Sequence, residues 1–306
     1  MRYVSQHGSS ITCTSDRQSI AYTLRCPVSA FAEMKCFLLD TVIRCWFKEW
    51  EMEDLKPMIR DDLHRIHPEK RVIDLAQKAC WGGPLNNSIY CESSRIDSMT
   101  GEILSNYTEW NFKTDHCSRY IFHFIFIRCL LQHAIIAHAC GTGNMQDGTH
   151  VLDRTPEHPL GLMSGDDVHT TYRAFNLSYY ETGIFGILAR TRAHTAWDVA
   201  KAAAEFLSNV GDLSCDQIEI GKKRLKVSLA IHDDDCVRMA EGLALQVASG
   251  YQIDSAKNSM TMIDEISKYE IANTARCLSC KYQDMAIAVV GDIGRVPHNR
   301  ELVCGL

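Results

Sequence analysis

The sequence has no excess of basic residues, and this absence argues against a nucleic-acid-binding protein. Its 306 residues contain 32 Lys and Arg against 38 Asp and Glu, which gives a net charge of −6. No internal repeat is apparent, so a solenoid or propeller is not expected. Met1–Val4 runs directly into polar residues without an apolar stretch or an amphipathic Arg-rich helix, so no targeting signal is recognised.

The composition is that of an ordinary globular protein. Apolar residues make up 46% of the chain and charged residues 23%, and its length allows two domains with a core each. The 14 cysteines are many, but they are irregularly spaced over both halves of a long chain. A small disulfide scaffold is therefore excluded, and we expect mostly buried free thiols in a reducing compartment.

One apolar segment, Tyr120–Ala139, is long enough to be compared with a membrane-spanning helix. It carries Arg128 near its middle and several other polar side chains, and a charge at that depth is costly. Its aromatic and β-branched residues favour strands. We therefore predict two buried strands here rather than a transmembrane helix.

Two β-hairpins are predicted from alternating residues on either side of a turn. The first joins Ser10–Thr14 to Ser19–Cys26, and the second joins Ala174–Tyr180 to Ile184–Leu188. A closing strand is predicted over Asp284–Val290. Helices are predicted over about 29–47 with Ser29 as a cap, over 49–66, after Pro68, over 100–111 and 144–154, and from capping boxes at Ser214 and Ser267.

The order of a hairpin, a helical run and a final strand resembles the second domain of the pitrilysin-type metallopeptidases. This family binds zinc through an inverted motif, His-x-x-Glu-His. Several other segments resemble the same family in the same order. They are SSITCTSDRQSIAYTLRC (9–26), WEMEDLKPMI (50–59), NSIYCESSRIDSMTGEIL (87–104), AFNLSYYETGIFGI (174–187), KKRLKVSL (222–229) and GDIGRVP (291–297).

The resemblance implies an α+β fold, a metallopeptidase-like two-domain α/β sandwich whose first domain is incomplete. We expect a partial first domain over 1–125 and a second domain over 131–306. Ser9–Cys26 is similar to a hairpin that lies well inside the family's first domain, so we expect a presequence and the opening strands to be missing. The resemblance fails between about 111 and 132.

The family's zinc ligands can be tested against this sequence. The motif His-x-x-Glu-His does not occur in it, nor does the reverse order His-Glu-x-x-His. The family's further metal-binding Glu aligns with Arg60, and a guanidinium cannot ligate a cation. The family's supporting Glu aligns with Glu53. We therefore expect no catalytic residue, no metal and no cofactor.

Four other groups contain residue types that can bind ligands, and each is better interpreted structurally. Asp61, His64 and His67 are typical of a polar helix face, and Asp233–Asp235 precedes a helix whose positive end carboxylates favour. The CxxC pair Cys277 and Cys280 has no second pair to complete a zinc site. His138–Gly143 lacks the Lys and third Gly of phosphate-binding loops.

Two branches of the family lack the zinc motif. The resemblance favours the branch of core subunits, and implies a non-catalytic structural subunit of respiratory complex III. Its implied partners are a second core subunit, cytochrome b, cytochrome c1 and the Rieske subunit, on the matrix side of the mitochondrial inner membrane, with no membrane span of its own. The alternative is an α-like subunit of the mitochondrial processing peptidase. That branch holds presequences with a glycine-rich loop, whereas Thr155–Asp167 has only Gly161 and Gly165.

Overall fold

A computed structural model describes residues 2–112, 124–142, 158–165, 167, 169–179, 182–248 and 255–304. These residues form helices and two antiparallel hairpins. The strands are β1 (Ser10–Ser15), β2 (Ile20–Arg25), β3 (Thr171–Ser178) and β4 (Gly183–Arg190). The helices before β3 are α1 (Arg2–Gln6), α2 (Phe31–Ile43), α3 (Glu49–Arg65), α4 (Pro68–Cys80), α5 (Gly101–Asn111), α6 (Phe124–Cys140) and α7 (Pro159–Met163). Those after β4 are α8 (Ala196–Ser208), α9 (Cys215–Asp234), α10 (Cys236–Ala248), α11 (Ala256–Glu265), α12 (Lys268–Cys280) and α13 (Asn299–Cys304).

The chain forms two compact units that alternate along the sequence. The first comprises Met1–His67, Asn87–Ile121 and Asp233–Asp254. The second comprises Pro68–Asn86, Phe122–His232 and Ser255–Leu306. The domain limits expected from the resemblance, 1–125 and 131–306, stay a prediction.

The first unit is organised around the hairpin β1–β2. Its register pairs Ser10 with Arg25 and Ser15 with Ile20, in agreement with the predicted alternation. The Asp16 carboxylate closes the turn by accepting from the backbone N–H of Gln18 and Ser19, as a turn-forming aspartate does. Helices α2 and α10 pack against β2.

The second unit has the larger core. Hairpin β3–β4 pairs Thr171 with Arg190 and Ser178 with Gly183, so the second predicted hairpin is also confirmed. One contiguous cluster of buried side chains joins the hairpin to α6, α8, α9, α11 and α12. Its fully buried members include Ile135, Ile136, Leu160, Ile218, Ile263, Ile266 and Ile271.

The prediction of two strands within 120–139 was wrong, because α6 occupies Phe124–Cys140. In its last turns Ile135, Ile136, Ala137, Ala139 and Cys140 are all buried, so almost every side of the helix faces protein. A helix buried on all sides shows no apolar stripe, and a short apolar run is then easily taken for strands.

Two smaller predictions also need correction. Residues 285–290 belong to no strand, although Met285 has extended backbone angles and its carbonyl accepts from the Asn299 side chain at 3.1 Å. Ser29 caps no helix, because it lies inside a short 3₁₀ turn, Val28–Ala30, that precedes α2. The predicted helix over 144–154 lies outside the described residues.

Both predicted capping boxes are confirmed. The Ser267 hydroxyl accepts from the Glu270 N–H, and the Glu270 carboxylate accepts from the Ser267 N–H, each at 3.2 Å. Ser214 and Gln217 exchange the equivalent bonds at the start of α9. These reciprocal bonds satisfy backbone donors that a helix start leaves free.

Candidate functional site

Arg60, which the resemblance aligns with the family's metal-binding Glu, forms an ion pair in the structure. Arg60 lies on α3, where its guanidinium contacts the Asp97 carboxylate in the same unit. Glu53, seven residues earlier and therefore on the same face of α3, accepts from the Lys56 ammonium at 2.7 Å. Arg60 and Glu53 therefore each have a partner of opposite sign, and Arg60 presents cationic nitrogen, which cannot ligate zinc as a carboxylate does.

Asp61, His64 and His67, at the end of α3, do not form a set of metal ligands. Asp61 pairs with Arg65 at 2.7 Å, four residues further along the same helix. His64 is exposed, and His67 lies beyond the last residue of the helix. Across the described part of the chain, no group of three or more His, Cys, Asp or Glu side chains is placed to hold a metal ion.

Of the three aspartates Asp233–Asp235, the first two are the last residues of α9, so the prediction that they precede a helix was wrong for them and holds for Asp235 alone. The Asp235 carboxylate accepts from the backbone N–H of Val237 at 3.0 Å. It also lies 3.4 Å from the Arg238 guanidinium. A carboxylate at this position satisfies a free backbone donor and interacts favourably with the positive end of the helix.

The segment His138–Gly143 contains two glycines, and Gly141 is the one that the structure describes. Gly141 sets the course of the backbone at the end of α6. Gly141 ends α6 with a φ of +118°, which other residues rarely adopt. Its carbonyl accepts from the Ala174 N–H at 2.7 Å and so connects α6 to β3. A Cβ added there would lie 3.0 Å from the His158 Cβ. Gly143 lies outside the described residues.

Partly buried His138 lies three residues before Gly141. Burial is the main cause that lowers the pKa of its imidazole to about 4, and the nearby Arg224 guanidinium lowers it further. The Thr142 hydroxyl lies 3.3 Å from its Nδ1 atom. His138 is therefore neutral at physiological pH, and the geometry assigns it a packing role beside Arg224.

The loop aligned with the glycine-rich segment contains a short helix, α7. Leu160 within it is fully buried in the core of the second unit, and Gly161 is one of its helical residues. Gly165 follows with a φ of +54°, and a Cβ added to it would have no atom within 4 Å. Thr155–Glu157 lies outside the described residues. Where it is described, this segment packs as a helix, which differs from a flexible glycine-dense loop.

The cysteines differ from the sequence-based expectation. Twelve cysteine side chains are described and all are free, but nine of the twelve are exposed and only Cys140 among them is buried. Burial raises the pKa of the Cys140 thiol to about 12, so this thiol stays protonated. Cys277 and Cys280 lie in the last turn of α12, far from its capped start, which does not match a thioredoxin-like arrangement.

One feature that sequence reasoning missed is a cleft between α6 and α12. It has a volume of about 350 Å³ and is lined by residues that include Cys129, His133, Cys277 and Lys281. The i, i+4 spacing of Cys129 and His133 would have indicated a shared helix face. That signal was lost when the segment was predicted to form strands.

Comparisons with known proteins agree with this fold. A model of insulinase, peptidase family M16, matches residues 1–93. The chain is 24% identical to human cytochrome b-c1 complex subunit 2, mitochondrial, over 96% of this chain and 77% of that subunit. The resemblance predicted from the sequence is confirmed. The rat subunit of the same name is 22% identical over the same shares of both chains.

The solved structures give the same result at the level of the fold. A chain of complex III2 from Candida albicans, bound to Inz-5, superimposes with a TM-score of 0.63 at 12% identity. The match covers 88% of this chain and 79% of that one. This match and that of the insulinase model together confirm the expected α+β, metallopeptidase-like fold class.

Subunits of the mitochondrial processing peptidase match over a smaller part. The probable α-2 subunit of Arabidopsis thaliana is 24% identical over 37% of this chain. The β subunit of Neurospora crassa is 27% identical over 44% of it. Within the described residues, no helix is both long enough and apolar enough to cross a membrane.

Proposed function

We propose that this chain is a structural core subunit of respiratory complex III, as core protein 2 is in the complexes it resembles. The observation that carries the proposal is similarity to cytochrome b-c1 complex subunit 2 along 96% of the chain. The likeness to a chain of a solved complex III agrees with it at the level of the fold. The partners are then a second core subunit, cytochrome b, cytochrome c1 and the Rieske subunit.

The first unit exposes the side chains that such a role requires. Trp46 is 78% exposed, Trp110 72%, Ile43 71% and Trp50 62%. Large aromatic side chains are enriched at the centres of protein interfaces and are costly to leave in water. Because these side chains are exposed in the single chain, we propose that other subunits of the complex cover them after assembly.

The proposal includes the absence of peptidase activity. Arg60 places a guanidinium where the family's ligand carboxylate aligns, and Asp97 is its ion-pair partner. A metal ion there would meet a positive charge instead of a ligand. We propose that the subunit acts through the surface that it buries and binds no cofactor.

The location proposed is the matrix side of the mitochondrial inner membrane. The curated relatives of greatest coverage are mitochondrial proteins by name. We further propose that the two family domains lie at 1–125 and 131–306, and that the first is incomplete.

A processing-peptidase subunit is the alternative function, and it rests on the shorter matches. A cleavage assay separates the two. The full chain, with zinc added and with a processing-peptidase β subunit present or absent, is incubated with a mitochondrial presequence peptide. We expect no cleavage above that of the β subunit alone, because Arg60 replaces a ligand and α7 replaces the flexible loop.

An Arg60→Glu variant is the matched control for this assay. It restores a carboxylate at one position only, and no other ligand group is assembled in the described residues, so it should stay inactive. Zinc-dependent cleavage by the unmodified chain, abolished by a chelator, would contradict the structural role and favour the peptidase.

A further inference from the structure

Helices α6 and α12 are held side by side by two polar contacts at successive turns. The Arg128 guanidinium donates to both oxygens of the Glu270 carboxylate, at 3.1 and 3.0 Å. The Thr274 hydroxyl donates to the Gln132 side-chain oxygen at 2.9 Å. Since both helices advance by four residues between these contacts, the two adjoining faces have a fixed register.

The neighbouring faces of the same two helices line the cleft described above. Cys129 and His133 line it from α6, and Asn273 and Cys277 line it from α12, with Lys281 at the end of that helix. Its volume of about 350 Å³ lies at the lower end of the range of small-molecule sites. Two exposed thiols, an imidazole, an amide and an ammonium group therefore face one space.

The hydrogen bonds of His133 fix where its proton lies. The Nδ1 atom is 2.8 Å from the carbonyl oxygen of Cys129. A carbonyl oxygen can only accept, so Nδ1 carries the proton and donates. The Cys129 Sγ atom lies 3.8 Å from the same nitrogen, so the imidazole borders the sulfur while its proton is bonded to the carbonyl oxygen. The thiolate form of a cysteine is the one that attacks disulfides.

We propose that the cleft is a thiol–disulfide exchange site, in which Cys129 forms a mixed disulfide with a small anionic disulfide such as glutathione disulfide. The Lys281 ammonium supplies a positive charge for a ligand carboxylate, and the Asn273 amide supplies neutral hydrogen-bonding groups. This inference is independent of the proposed function. It rests on the side chains that line the cleft, whereas the proposed function rests on similarity to other proteins.

The exchange step is balanced without a further oxidant. The Cys129 thiol loses its proton to solvent, and the thiolate sulfur attacks one sulfur of the bound disulfide. A new sulfur–sulfur bond forms as the ligand's own bond breaks, and the other half leaves as a thiolate that takes up a proton. One protein thiol is oxidised and one half of the ligand is reduced.

The test compares two disulfides on the reduced full-length chain. Glutathione disulfide carries carboxylates, whereas bis(hydroxyethyl) disulfide is neutral, and site-resolved mass spectrometry follows each cysteine. Cys36, an exposed thiol on α2, is the internal reference. We expect glutathione disulfide to modify Cys129 about fivefold faster than Cys36, the upper end of the effect that one exposed ion pair gives.

Lys281→Gln and Lys281→Arg variants test whether the cleft recognises charge. Lys281→Gln should slow the modification of Cys129 by glutathione disulfide about fivefold and leave the neutral disulfide unaffected, whereas Lys281→Arg should keep the unmodified rate. The proposal is overturned if Cys129 reacts no faster than Cys36. It is also overturned if Lys281→Gln slows both reagents equally or neither.

Discussion

Gly221→Ala is expected to lower the free energy of unfolding of the second unit by about 2 kcal/mol, although alanine favours a helix interior by about 1 kcal/mol. Gly221 lies on α9 where this helix crosses α6. A Cβ added there would lie 2.7 Å from the Ile135 carbonyl oxygen and 2.8 Å from the Ala139 Cβ. Since both obstacles belong to a buried helix, the two helices must separate. Chemical denaturation followed by circular dichroism measures the loss.

A matched control for this substitution is Gly82→Ala in the same unit. No atom lies within 4 Å of the Cβ that it would add, so its effect should stay within about 0.5 kcal/mol. A valine at Gly221 should destabilise more than alanine does. If Gly221→Ala instead stabilised the chain, helix propensity would outweigh the contact, and the close crossing of α6 and α9 would be wrong.

Acidification from pH 7 to pH 4 is expected to remove about 3 kcal/mol of stability through His138 alone. Its imidazole has a pKa of about 4 in the folded chain, against an ordinary value of 6.5. The unfolded chain therefore binds more protons between these values. The contribution is complete above pH 6.5, declines as the pH falls, and shows no further change below about pH 4.

Other groups titrate over the same range, so the test is a difference measurement. The free energy of unfolding is measured against pH for the unmodified chain and for His138→Gln, which cannot gain a proton. The gap between the two curves should narrow or reverse as the pH falls from 6.5 to 4. Parallel curves over this range would show that burial and Arg224 do not keep this imidazole neutral.

Sequence patterns correctly predicted the two hairpins and the two capped helix starts, because the residues that specify each of them lie close together in the sequence. The two hairpins appear with the expected pairing, because alternation and turn residues specify a register within a few residues. The capping boxes at Ser214 and Ser267 start helices for the same reason. Each of these elements is determined by side chains close to it in sequence.

The predictions that failed depended on tertiary surroundings. Helix α6 packs against α12 and β3 and is approached closely by α9 at Gly221, so burial on all sides removed the periodicity that distinguishes a helix from a strand. Residues 285–290 have the apolar composition of a strand but no ladder partner in the described structure. A strand requires a neighbouring strand to hydrogen-bond with, and the composition of a segment does not show whether such a neighbour is present.

The same contrast holds for the candidate sites. Alignment with a family placed Arg60 at the metal position, and its ion pair with Asp97 joins residues far apart in sequence. The cleft could not be found in this way, because it requires α6 to be a helix and α12 to lie beside it. Exposure of most of the described thiols was unexpected for a related reason: burial is a property of the packed chain.

The central claim is that the chain is a structural subunit of complex III, and native gel electrophoresis tests it most directly. Mitochondria that express the chain with an affinity tag are solubilised gently, and the gel is probed for the tag, cytochrome b and cytochrome c1. We predict one band in which the tag migrates with both cytochromes. A tag that migrates as a free chain, or with a processing-peptidase subunit and without the cytochromes, would contradict the claim.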